Sequence, residues 1–166
     1  MTPDQSPIVL GVDPGTIVTG WGVIQRRGTR LQGVCAGVIR AGNQPDLPAR
    51  LRVIYAEIVR VIEQYRPTAM AVEDIFFARS ASAALKLGHA RGVVLLAGAN
   101  SNLEVFAYPP ALVKRSVAGR GHAAKEQVAR MIGAILGWRD LPTLDATDAL
   151  AVAITHLNAS RLVSLR

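Results

Sequence analysis

Only twelve acidic residues stand in this 166-residue chain, so the places of four of them are informative. Asp13 closes one apolar run, Ile8 to Asp13, and Glu73 closes another, Ala69 to Glu73; Asp145 and Asp148 lie three apart in LDATDAL. Two strands that end in acids bring both carboxylates to one sheet edge if the strands are parallel neighbours, and residues at i and i+3 share a helix face. Four converging carboxylates repel one another unless cations lie between them. Hard oxygen donors with room for water and phosphate suit Mg2+ or Mn2+. Two such ions can activate a water, stabilise a leaving oxygen and clamp a phosphate, so the chemistry indicated is phosphodiester hydrolysis. Plainer readings stand beside this one. Asp13-Pro14-Gly15 is also a turn sequence, and Asp145 also suits a helix cap. The joint pattern favours a site, because buried acids need cations or hydrogen-bond donors.

The elements that must carry these acids follow from periodicity. Ile8 to Asp13 reads as a buried strand closed by Pro14-Gly15, followed by strands near Thr19 to Gln25 and Leu31 to Arg40 around the turn-prone Arg27-Gly28. Apolar residues from Leu51 to Ile62 recur at helical spacing and stop before Pro67. Ala69 to Glu73 is a strand, Ala81 to Ala99 a helix, and Val105 to Tyr108 the last strand. Helices over Ala111 to Val117, Ala123 to Leu136 and Thr143 to Leu162 complete the order βββαβαβααα. That order describes an α/β fold, a mixed sheet with helices on its faces.

Composition narrows the partners. The net charge of +7 favours a polyanion, since clustered Lys and Arg release counterions from phosphates; a basic surface that only confers solubility is the alternative. Half the residues are apolar, enough for one sizeable core and a single domain over 1–166, with residues 1–7 as a flexible tail. Cys35 is the lone cysteine, which excludes an intrachain disulfide and fits a cytoplasmic location. No stretch approaches the roughly 20 apolar residues of a membrane span.

The stretches GVDPGTIVTGWGVI, AVEDIFF, ALKLGHARGV and LDATDALAVAITH, taken in order, closely resemble the RuvC-type Holliday junction resolvases. Each motif alone is weak and the ordered set is specific, covering Ile8 to about His156. The resemblance implies a ribonuclease-H-like fold with a five-stranded sheet and a homodimer. It also implies magnesium-dependent paired nicking of like-polarity strands at a four-way junction in homologous recombination and repair. The family's metal-binding acids fall on Asp13, Glu73, Asp145 and Asp148, with Asp145 the most replaceable and two ions expected per site. RuvA and RuvB are the partners it implies.

Lys114 in YPPALVKR and Lys125 in GHAAKEQ fall where the family has lysines important for activity, and a lysine there could stabilise phosphate charge in the transition state. Phe76 falls where the family has an aromatic that stacks on an unpaired base; Phe77 is the neighbouring alternative. Arg79, Lys86, Arg115, Arg120 and His122 could extend a backbone-contacting surface around the acids. His89 and His156 suit packing or surface roles, and Trp21 and Trp138 structural ones. The helix from Leu85 to Ala99 shows small residues, Gly88, Gly92 and Ala99, beside aliphatic bulk. Spacing leaves core and dimer seam open there; the resemblance implies one face for each. Three rivals remain: an actin-like phosphotransferase, a non-catalytic junction binder, and a ribonuclease-H-like enzyme for another nucleic acid.

Overall fold

The computed structural model describes residues 6–75, 79–119 and 121–164. The elements run β1 (Ile8–Asp13), β2 (Val18–Arg27), β3 (Arg30–Arg40), α1 (Leu47–Tyr65), β4 (Ala69–Glu73), α2 (Ala81–Asn100), β5 (Glu104–Tyr108), α3 (Pro110–Ala118), α4 (Lys125–Leu136) and α5 (Leu144–Ser164). This is the order expected from periodicity. Boundaries moved where capping decides them. Helix α1 begins at Leu47 rather than Leu51, because the Asp46 side chain accepts from Ala49 N at 2.8 Å and Pro48 sits in the first turn.

The sheet is mixed, in the order β3-β2-β1-β4-β5. β1 pairs antiparallel with β2 and parallel with β4, and β4 pairs parallel with β5. The parallel β1–β4 pair, Val12 beside Val72, brings the next residues, Asp13 and Glu73, to one edge of the sheet. β1 and β4 are buried on both faces, which is why each reads as a continuous apolar run.

One core layer lies under α3, α4 and α5 around Ile132, Leu150 and Ile154; the other lies under α1 and α2 around Leu10, Ile58 and Val94. Helix α5 rests directly on β1 and β2. A side chain at Gly11 would overlap the Ala149 carbonyl oxygen, one at Gly20 the Asp145 carbonyl oxygen, and one at Gly22 would meet Leu150. These glycines let the helix backbone approach the strands, so the N-terminal turns of α5 come close to the sheet edge where β1 ends. Trp21 and Trp138 fill the sheet as expected, Trp21 beside Tyr65 and over Gly37, Trp138 over Gly33.

Candidate active site

Asp13, Glu73 and Asp148 line one cleft of 330 Å3 together with Lys114, Lys125, Pro110, Val113, Val128 and Ala151. The acids come from β1, β4 and α5, and the lysines from α3 and α4. Thr19, fully buried, shapes the approach to β2: its hydroxyl donates to Gly15 O at 2.8 Å and accepts from Gly15 N at 3.1 Å. The Asp13-Pro14-Gly15 turn is therefore a fixed structure as well as the carrier of an acid. Asp145 lies inside the first turn of α5, not at its cap.

Burial dominates the electrostatics. The Asp13 carboxyl is pushed up to about 9, first by burial, then by the Glu73 charge and a shared hydrogen bond with Glu73, then by Asp148 and Asp145. Glu73 is also raised by burial, with the hydrogen bond from Asp13 and the Lys125 and Lys114 charges opposing the rise. Burial raises Asp148 against the pull of Lys125, whose Nζ lies 3.2 Å from Asp148 Oδ2. The same contact raises Lys125.

Without a bound cation, burial favours the protonated form of Asp13. Among the described residues, no three acids are already drawn close enough to hold an ion. Their donor chemistry suits a hard divalent cation: carboxylates buried together, raised first by burial, with a proton to exchange for metal at Asp13.

The other expected contacts are spread more widely. Lys114 is half-buried in the cleft, Arg115 and His122 are exposed on α3 and just before α4, and Arg79 and Lys86 are exposed at the N-terminal end of α2. Phe76, Phe77 and Arg120 lie outside the described residues. His89 is exposed, whereas His156 is buried, its Nδ1 2.7 Å from the Tyr108 hydroxyl and its ring against Phe106. Burial lowers the His156 pKa, opposed by Glu104.

Two features escaped sequence reasoning. Asp74 accepts from Arg91 at 3.1 Å and from Ile75 N at 2.9 Å, tying the segment after Glu73 to α2. Ile17, 53% exposed, borders a second groove that contains Asp145. An acid next to Glu73 was the available signal for the first; no periodic signal marks the second.

The RuvC family model, described as crossover junction endodeoxyribonuclease RuvC, matches residues 9–156. Among curated relatives of that name, the protein of Sorangium cellulosum is 50% identical over 152 residues, 92% of this chain and 85% of its own. That of Solidesulfovibrio magneticus is 45% identical over 158 residues, 95% of this chain and 94% of its own. Thermus thermophilus RuvC, solved in complex with a Holliday junction substrate, superposes with a TM-score of 0.89 at 38% identity, over 95% of this chain and 97% of that one. The yeast mitochondrial Holliday junction resolvase shares the fold alone, with a TM-score of 0.72 at 11% identity. With the match running over residues 9–156, from the first strand to the last helix, this chain belongs to the RuvC crossover junction endodeoxyribonuclease family.

Proposed function

We propose that this chain resolves four-way DNA junctions by paired nicking of like-polarity strands, with Mg2+ held by Asp13, Glu73, Asp148 and Asp145. The observation that carries the reading is the cleft in which two strand-end carboxylates, one helix carboxylate and two lysines meet. Bound magnesium would supply an activated water and Lewis acidity for in-line attack at phosphorus, two ions serving better than one. Mn2+ fits the same oxygen donors.

The chain's own groups divide the remaining work. Asp13 and Glu73, fixed by adjacent parallel strands, hold their carboxylates in a constant relation. Lys125 offers an ammonium to the non-bridging phosphate oxygens, where charge builds in the transition state. Lys114, carried by α3, adds a second positive charge to the cleft. Arg79, Lys86, Arg115 and His122 supply backbone contacts that position DNA without reading it; Phe76 and Arg120 complete the proposed contact set from positions outside the described residues.

Residues 1–166 act in this reading as one nuclease domain, in the cytoplasm; most of the tail expected over residues 1–7 lies outside the described residues. Among the described residues no helix is long and apolar enough to cross a membrane. A homodimer forms across the outer face of α2. Leu85 is 66% exposed and Leu96 52%, and the space over Gly88 and Gly92 between them is open. An apolar stripe of this kind, with small residues that admit a second backbone, suits an isologous seam. Two identical sites would then face a substrate of near two-fold symmetry. RuvA and RuvB are the branch-migration partners in this scheme.

Cleavage of a synthetic four-way junction, a linear duplex and an RNA–DNA hybrid, with Mg2+ present or chelated, tests the reading. Symmetric cuts in the junction alone, lost on chelation, are expected. Equal cutting of linear duplex or hybrid would overturn junction selectivity, and nucleotide hydrolysis without DNA cleavage would favour the phosphotransferase rival.

A further inference from the structure

The four acids line two clefts at the end of the sheet where β1 stops. Asp13, Glu73 and Asp148 line the first, on the side of α3, α4 and α5. Asp145 lines the second, 430 Å3 in volume, between Gly15 to Val18 and the α2 residues Ala83, Lys86 and Leu87. Asp13 feels the charges of the other three acids, so the two clefts adjoin at the end of β1. A polynucleotide laid over Asp13 at the sheet edge therefore meets both clefts. The lysines of the first account for phosphate charge. The second has a different character: three branched aliphatic side chains, Ile17, Val18 and Leu87, beside Asp145 and a single cation, Lys86.

A solitary exposed aliphatic residue is ordinary. Ile17 differs in being held in place. Its carbonyl accepts from both Ala41 N at 2.9 Å and Gly42 N at 3.0 Å, and the Thr19 hydroxyl closes the same turn through Gly15. Gly42 lies under the Ile17 side chain, where a Cβ would come within 2.8 Å of Ile17 Cγ2. Gly42 is steadied in turn by Arg50, whose guanidinium donates to its carbonyl at 3.4 Å. An apolar group presented by so fixed a turn costs little ordering on contact. The volume falls in the range of about 300–1,000 Å3 typical of small-molecule clefts, enough for one nucleoside.

We infer that this second groove seats a nucleoside of the cut strand next to the scissile phosphate, with Ile17 and Leu87 against its base and sugar and Lys86 on the adjoining phosphate. The inference rests on the junction-cleaving reading. It makes Ile17 a specificity-determining residue, because apolar contact rewards bases of particular shape, a thymine methyl for instance, whereas a phosphate contact rewards none.

The test pairs protein variants with substrate deletions. Junctions carrying a single abasic residue at each of the two positions on either side of the cut are cleaved under single-turnover conditions. For the wild-type chain, one of these positions is expected to slow cleavage about tenfold against the intact junction, the effect of a few favourable contacts. Ile17→Ala should shrink that factor below about threefold, and Ile17→Leu, which keeps the apolar bulk, should restore it. Lys86→Ala should leave the factor unchanged while weakening binding and flattening its salt dependence. The inference is overturned if Ile17→Ala keeps the full abasic factor, or if no abasic position slows the wild-type chain. Failure to cut the intact junction would instead overturn the functional reading, and this inference with it.

Discussion

Lys125 Nζ stands 3.2 Å from Asp148 Oδ2, across the gap between the first turn of α4 and the first turns of α5. The pair joins a group suited to phosphate with a group suited to metal. Cation entry would draw on Asp148 and leave the ammonium for the substrate. Lys125→Ala is therefore expected to slow single-turnover cleavage on the order of 10–100-fold, with junction affinity in a gel-shift titration changed much less. Equal losses in rate and affinity would reduce Lys125 to a backbone anchor.

Asp13→Asn and Glu73→Gln should each abolish cleavage and leave junction binding largely intact, because both acids lie in the cleft and neither offers positive charge to an approaching phosphate. Full activity in either variant would contradict their proposed place in the metal site. Asp145→Asn should retain more activity than either, measured on the same junction.

The Asp13 carboxyl, raised from 3.8 to about 9, carries a pH signature. Between those values the folded, metal-free protein keeps a proton that the unfolded chain has released. Its stabilising contribution is full below the unfolded value and is lost as pH rises through the folded one. Glu73 and Asp148 shift in the same direction. In EDTA, the melting temperature should therefore fall across this window, and Asp13→Asn should flatten the fall. Added Mg2+ should raise the melting temperature most at the alkaline end, with proton release on binding measurable by calorimetry in buffers of different ionisation enthalpy.

Gly20→Ala places a methyl group against the Asp145 carbonyl oxygen. Overpacking of this kind costs about 1–3 kcal/mol, or about 2–4 °C of melting temperature per kcal/mol in a chain of this size. The displaced start of α5 carries Asp145 and Asp148, so cleavage should fall further than stability accounts for. Gly28→Ala, at the far hairpin where nothing lies within 4 Å of the added atom, has only its positive φ of 60° to strain and should leave cleavage intact.

The outer face of α2 predicts a dimer. Gly92→Glu would put a charge where the space is open in the isolated chain; sedimentation should shift toward monomer and paired cuts should give way to slow single nicks. An unchanged dimer would place the seam elsewhere.

Much of this was legible in the sequence because the two strands that end in Asp13 and Glu73 are buried on both faces, which writes them as unbroken apolar runs. Their parallel pairing was an added assumption that the register supports. Asp145 and Asp148 were readable from helical spacing. Long-range partners were not. Nothing local tells that Arg91 reaches Asp74, or that His156 meets Tyr108, since each pair is joined only when α2 and α5 pack on the sheet. Of the packing and surface roles open to His156, the structure gives it packing, against Phe106, with the Tyr108 hydroxyl as its polar partner. Ile17 had no pattern at all, because a turn residue's exposure is set by its neighbours Ala41 and Gly42, more than twenty positions away.

The glycine bed beneath α5 has a wider consequence. At Gly11 and Gly20 the distance between this helix and the strands is set by atoms that are missing, where helix backbone meets strand, and not by a side chain choosing the right rotamer. Residues at the front of the helix can be exchanged without altering where the helix lies. One scaffold can thus try different ligand sets at the Asp145 position while Asp13 and Glu73 stay in register, and chemical novelty there comes at little architectural risk.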